Sequence, residues 1–205
     1  MRTVFSIVNQ KGGVGKTTTA VNLATALSIS GKSCLVLDLD PQGNASTGFS
    51  IPSEQRNPGT YEVLTKKSDM GNAIKATEVN GLGVVPARMA LANAEYELAN
   101  FENKEFLLKS AIETLPAQYD SIIVDCPPGL GFLTTNALAA SDRVLIPLQC
   151  EFYALEGLSQ ILRVIKKIKA ELNPSLDLDG ILLTMYDSRN KLSFQVEEDV
   201  REVMG

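Results

Sequence analysis

Residues 9 to 18 read Asn9-Gln10-Lys11-Gly12-Gly13-Val14-Gly15-Lys16-Thr17-Thr18. Glycines at this density let successive backbone N–H groups curl around an anion, and a helix that starts at Lys16 adds positive potential at its N-terminus. Lys16 then supplies a point charge between the β- and γ-phosphates of a nucleotide. The Thr17 hydroxyl is placed to ligate Mg²⁺, and that of Thr18 to reach the α-phosphate. The general phosphate-loop pattern carries glycine six residues before this lysine, where the chain has Gln10; an extra Lys11 and the Gly12-Gly13 pair follow instead. The plainer alternative is a glycine turn without a ligand, but Gly-Lys-Thr at a strand-to-helix junction is a demanding coincidence.

Three carboxylates occupy strand ends. Asp38 lies near the end of the apolar run 34–39 with Asp40 just after it, and Asp125 lies near the end of the run 121–126. Asp125 suits coordination of Mg²⁺ through an intervening water. The other residue types exclude much. There is no histidine, so Ser-His-Asp hydrolysis and imidazole-dependent zinc sites are ruled out. Cys34, Cys126 and Cys150 show no Cys-x-x-Cys spacing and read as buried reduced thiols. A net charge of −5 excludes a globally basic nucleic-acid binder, though not a local basic patch. No apolar run approaches the roughly 20 residues that span a bilayer, so a cytoplasmic protein is expected.

The elements that must position these groups follow from periodicity. With 205 residues, 44% of them hydrophobic, the chain suits one domain with a sizeable core. Strands are expected at 4–8, 34–39, 82–85, 121–126, 144–148 and 180–185. Helices are expected at 17–29, 89–99, 103–115, 132–140 and 155–172. A last amphipathic segment carries Val196, Val200 and Val203 at helical spacing. Residues 41–60, rich in Pro, Gly, Asn and Ser, read as a long functional loop. On helix 155–172, Arg163, Lys166, Lys167 and Lys169 lie off the apolar face, as a solvated face would. The alternation predicts an α/β fold of the P-loop NTPase type, with a mostly parallel sheet and helices on both faces. Ligands bind such a sheet beyond the C-terminal ends of its strands.

These motifs resemble a known superfamily. Lys11 through Thr18 is similar to the deviant Walker A motif of the ParA/MinD ATPases. Asp38-Leu39-Asp40-Pro41-Gln42-Gly43-Asn44 resembles their switch I, and Asp125-Cys126-Pro127-Pro128-Gly129 their Walker B and switch II. The stretches 149–157 and 184–189 resemble specifically ParA (Soj-type) partition proteins. The resemblance covers essentially the whole chain. It implies a Mg²⁺-dependent ATPase that forms a homodimer when ATP-bound, and it assigns nucleotide contacts to Lys11, Gly12, Gly13, Val14, Gly15, Lys16, Thr17 and Thr18. Lys11 would cross to the partner's nucleotide, in the manner of an arginine finger. Asp40 would position the attacking water, and Asp38 would support the switch and the metal shell. Arg189 would contact DNA phosphates without sequence preference. A ParB-type partner would stimulate hydrolysis, and the protein would associate with the nucleoid and not with a membrane. ATP is expected over GTP, since Met185 stands where guanine readers place a lysine stem.

Family members usually continue with another strand, a Pro-Arg-Asn segment, a further DNA-contacting arginine and a closing helix; this chain ends at Gly205, so a single domain over 1–205 lacking these parts is expected. Two other readings compete. A MinD-like division-site ATPase would need a basic amphipathic tail, whereas residues 197–202 are mostly acidic. A nucleotide-binding module with little turnover would not need Lys11, Lys16, Thr17, Asp40 and Asp125 all in place. An iron–sulfur electron carrier is disfavoured, since no cysteine lies between Pro41 and Asp125.

Overall fold

Apolar runs without interior polar residues become strands buried on both faces, and such strands make the centre of the computed structural model, which describes residues 2–204. β1 (Thr3–Ile7), β2 (Cys34–Asp38), β4 (Leu82–Val85), β5 (Ser121–Asp125), β6 (Arg143–Gln149) and β7 (Asp177–Thr184) run parallel, and the two-residue β3 (Lys75–Ala76) joins antiparallel to β4. The order across the sheet is β3-β4-β2-β5-β1-β6-β7. β2 and β5 are buried at all five positions. Register aligns the ends that matter: Ile7 and Asp38 both stand beside Asp125.

On one face, α1 (Lys16–Ile29) buries Ala20 and Ala24 against Ile7, Val36 and Ile123, with Leu23 and Leu27 partly buried around them. The alanines let this helix sit close to the sheet, which fixes the loop before it. The larger core, on the other face, lies under α7 (Phe132–Ala140) and α8 (Ala154–Glu171), where Leu138, Leu158, Ile161, Ile165 and Ile168 are buried. α9 (Lys191–Met204) adds Val196 and Val200 to that core, but Val203 is exposed, so the expected apolar stripe ends one turn early.

Other expectations change in detail. Residues 41–60 are not one loop: α2 (Asn44–Gly48) and a 3-10 turn at Ser53–Gln55 lie within them, and α3 (Thr60–Leu64) opens at their end. Five-residue helices show too few turns for a period to emerge. α4 (Met70–Ala73) went unread for the same reason. The helix expected at 89–99 is a 3-10 stretch, Met89–Asn93, leading into the single turn of α5 (Ala94–Glu97). Leu91, Ala94 and Leu98 are its buried positions, a spacing that three- and 3.6-residue periods both satisfy. Asn103, at φ 56°, breaks the chain before a short 3-10 turn and α6 (Leu107–Glu113). β7 begins three residues earlier than expected, because a register shift lets Asp177 and Leu178 pair with Arg143 and Val144. Cys34 and Cys126 are buried as expected, whereas Cys150 is partly exposed. Among the described residues, no helix is long and apolar enough to cross a membrane.

Candidate active site

The loop between β1 and α1 is held in shape by protein groups alone. Asn9 donates to the Pro147 carbonyl at 2.6 Å and accepts the Lys11 N–H at 2.9 Å. Gly129 N–H donates to the Gln10 carbonyl at 3.0 Å, and the Thr184 hydroxyl donates to the Val14 carbonyl at 2.9 Å. Three strand ends therefore preorganise the turn. Gly15 caps α1 at φ 91°, a left-handed conformation that a side chain resists. No side chain caps α1, so the first N–H groups of the helix face the cleft without a protein acceptor. An anion seated there would satisfy them.

Lys16 is only 6% exposed, and its Nζ donates to the Lys11 carbonyl at 2.7 Å. Burial lowers the affinity of this ammonium for its proton, while the Asp125 charge pulls in the opposite direction. Phosphate oxygens would replace the single carbonyl with stronger, charge-assisted acceptors.

The carboxylates form the floor. Asp38 is fully buried: one oxygen accepts the Asp40 N–H at 3.1 Å, and the other accepts the Ser46 N–H at 2.8 Å and the Ser46 hydroxyl at 2.6 Å. Burial nonetheless pushes its carboxyl up to about 6. Asp125 is also fully buried, yet among the described residues neither of its oxygens has a hydrogen-bond partner. Burial, then the adjacent Asp38 charge, raises its carboxyl to about 7; the Thr17 hydroxyl and Lys16 oppose this, although Thr17 lies outside hydrogen-bond geometry. A buried carboxylate with two vacant oxygens is costly unless a cation or its bound water fills them. Asp40 is 8% exposed and aimed by the Gln42 N–H, which donates to its Oδ1 at 3.0 Å. Among the described residues, no group of three or more His, Cys, Asp or Glu forms a metal cage. That donor set suits Mg²⁺, which takes one or two protein carboxylates and completes its shell with phosphates and water.

A cleft of about 520 Å³ opens above this floor, within the usual range for a ligand pocket. Gly12, Gly13, Gly15, Lys16, Thr17 and Thr18 line one wall, and Asp40, Gln42, Asn44 and Pro128 another. Asp38 and Asp125 lie beneath, and Val14 is buried, offering its backbone. Pro41, Gly43, Pro127 and Gly129 shape the two loops behind the lining residues. Gly43 has φ 65°, and a Cβ there would stand 2.3 Å from Arg56 Nη1 and 2.8 Å from the Ala87 carbonyl. Gly43→Ala should therefore cost about 1–3 kcal/mol and lower Tm by roughly 3–8 °C in a calorimetric scan.

Two expected residues stand apart. Lys11 turns away from the cleft and ion-pairs with Glu151, beside a separate groove that Tyr153 also lines. Arg189 is highly exposed and forks onto Asp187, with Nε and Nη2 donating at 3.0 and 2.9 Å. Three further residues contribute, two of which, Ser46 and Glu151, have no role legible in the sequence. Met185, read in the sequence against a guanine-reading lysine, has φ 52° and lines the cleft mouth. Ser46 reads as loop filler until the fold brings it to Asp38. Glu151 is 140 positions from its partner Lys11.

The sequence model of a family described as an AAA domain matches residues 2–178. The chain is 52% identical to the chromosome partitioning protein ParA of Myxococcus xanthus, covering 97% of this chain and 70% of that one. It is 50% identical to the sporulation initiation inhibitor protein Soj of Bacillus subtilis, covering 98% and 80%. Among solved structures, cobyrinic acid a,c-diamide synthase from Mycobacterium smegmatis, with bound ADP and magnesium, superposes with a TM-score of 0.94. It is 40% identical, covering 98% of this chain and 82% of that one.

Proposed function

The chain belongs to the ParA/Soj family of chromosome partitioning ATPases, and from that premise we propose that it hydrolyses ATP with Mg²⁺, dimerises when ATP is bound and in that state binds DNA without sequence preference. The observation that carries this reading is the unpartnered Asp125 carboxylate beneath an uncapped helix N-terminus. One element calls for a cation and the other for an anion; a magnesium-chelated triphosphate supplies both.

In this reading the N–H groups of Gly12 to Thr18 and the Lys16 ammonium hold the phosphates. Thr17 and Asp125 would hold Mg²⁺, with Asp38 steadying the floor. Mg²⁺, when bound, neutralises charge that builds between the β- and γ-phosphates. Asp40, aimed by the Gln42 N–H, orients the attacking water and accepts its proton. Met185 at the mouth favours adenine, as it lacks the stem and charge that guanine readers use. Arg189 meets DNA phosphates, and a ParB-type partner accelerates turnover.

Lys11 completes the partner's site across the dimer. It must first leave Glu151, but an ion pair this exposed contributes only about 0–1 kcal/mol, which over the two pairs of a homodimer shifts dimerisation by about 30-fold at most. The pair thus tunes assembly without blocking it. Sizing chromatography with and without ATP and Mg²⁺ tests the proposal. Asp40→Ala should accumulate as a dimer with ATP, and Lys11→Ala should bind ATP normally while turnover falls at least tenfold. Hydrolysis at full rate by a strictly monomeric protein would overturn it.

A further inference from the structure

Seven of the 19 lysines and arginines of this acidic chain form ion pairs among the described residues. Arg88 pairs with Glu62, Lys67 with Glu97, Arg143 and Lys169 with Asp177, and Arg201 with Glu197. Arg189 itself is held by both oxygens of Asp187. α8 gathers three of the unpaired ones on a single helix. Between Glu156 and Glu171 it carries four cations and no anion. Arg163, Lys166 and Lys167 are exposed there and make no ion pair or hydrogen bond among the described residues. Lys166 and Lys167 lie three and four residues after Arg163, so both flank it on one side of the helix about 5–6 Å away.

That side is rigid, because the opposite face of α8 buries Leu158, Ile161, Ile165 and Ile168. Its nearest competitor for these charges is the acidic α9, which packs on α8. There Glu197 is engaged by the Tyr186 hydroxyl at 2.7 Å and by Arg201 at 2.9 Å. No large apolar side chain of α8 is exposed, so the face offers nothing to insert into a lipid layer. What it offers is an ordered cluster of uncompensated positive charge, complementary to a polyphosphate backbone.

We propose that the Arg163–Lys166–Lys167 face of α8 is a DNA-backbone contact surface, independent of Arg189 and larger in its electrostatic contribution. This rests on the DNA-binding reading above and adds a surface that reading does not contain.

The test compares wild type, Arg163→Gln/Lys166→Gln/Lys167→Gln and Arg189→Ala. Each is titrated with ATP and Mg²⁺ onto a labelled duplex of arbitrary sequence at 50 and 200 mM salt. Three lost phosphate contacts flatten the salt slope by about 2.7, so wild-type affinity should fall about 40-fold more than that of the triple variant over this range. The triple variant should also bind at least tenfold more weakly at 50 mM, more than Arg189→Ala does. DNA-free turnover and Tm should match wild type, since these side chains touch neither cleft nor core. If wild type binds DNA and the triple variant matches it in slope and affinity, this surface is wrong and the DNA reading stands. If wild type binds no DNA, both fall. Binding through these residues to anionic phosphatidylglycerol vesicles, with no DNA binding, would also overturn the surface.

Discussion

Lys16→Ala should weaken ATP binding by about 10²-fold, the largest affinity loss of any single substitution in this chain. A charge-assisted hydrogen bond contributes about 1.5–3 kcal/mol, and 1.4 kcal/mol corresponds to a factor of ten. Lys16 is positioned to make two such bonds, to β- and γ-oxygens, in a site that already excludes much of the water. In the absence of nucleotide its Nζ has only the Lys11 carbonyl, at 2.7 Å, and burial disfavours its charge. The fold therefore gains little from the ammonium, and the variant should unfold within a few degrees of wild type without ligand. Titration calorimetry with ATP and Mg²⁺ reads the affinity, and thermal unfolding reads the fold. Lys16→Arg should not rescue binding, because a planar fork cannot occupy the place of a compact ammonium.

Asp125→Asn should have opposite effects on stability and turnover. Asp125 accepts no hydrogen bond while Asp38 accepts three, so of the two neighbouring carboxyls Asp125 is the one that retains a proton. Its folded value, about 7, lies above the ordinary 3.8. Where the folded form binds protons more tightly than the unfolded, stability falls as pH rises between the two values. Metal-free wild type should thus lose stability from about pH 4 to pH 7 and stay low above that. Three units correspond to about 4 kcal/mol as an upper figure. For a domain this size, metal-free Asp125→Asn should melt roughly 5–10 °C above wild type at pH 8 and no higher at pH 4. Mg²⁺ with ATP should stabilise wild type and do less for the variant. Turnover should fall at least 10²-fold, because the amide carries no charge to hold the metal's water. A variant that melts below wild type at pH 8 would contradict the cost assigned to this carboxylate.

The contrast between these two residues also marks what can be read from a sequence. Lys16 and the glycines before it are legible because their chemistry is local: the strand, the turn and the helix start are contiguous, and each constrains the next. β2 and β5 are legible because burial on both faces leaves uninterrupted apolar runs, and with them the positions of Asp38 and Asp125. That Asp125 would be unpartnered and Asp38 saturated is not legible, since the difference is made by Ser46, which reaches Asp38 only after the chain folds through α2. Lys11 could be singled out for lacking a role at its own phosphates, but its ion pair with Glu151 depends on β6 lying next to β1. The spacing of Val196, Val200 and Val203 gives the last helix but not the exposure of Val203, because helical spacing says which residues share a face and not where the neighbouring surface ends.

The central claim is that the turn after β1 holds a triphosphate over an acidic floor. A crystal structure grown with a non-hydrolysable ATP analogue and Mg²⁺ addresses it without intermediaries. The expected result places the phosphates within about 2.7–3.2 Å of the N–H groups between Gly12 and Thr18, with Lys16 Nζ moved from the Lys11 carbonyl onto phosphate oxygens and Asp125 facing the metal's water. An analogue found in the groove beside Lys11 and Tyr153, with the turn still bonded only to protein, would contradict it.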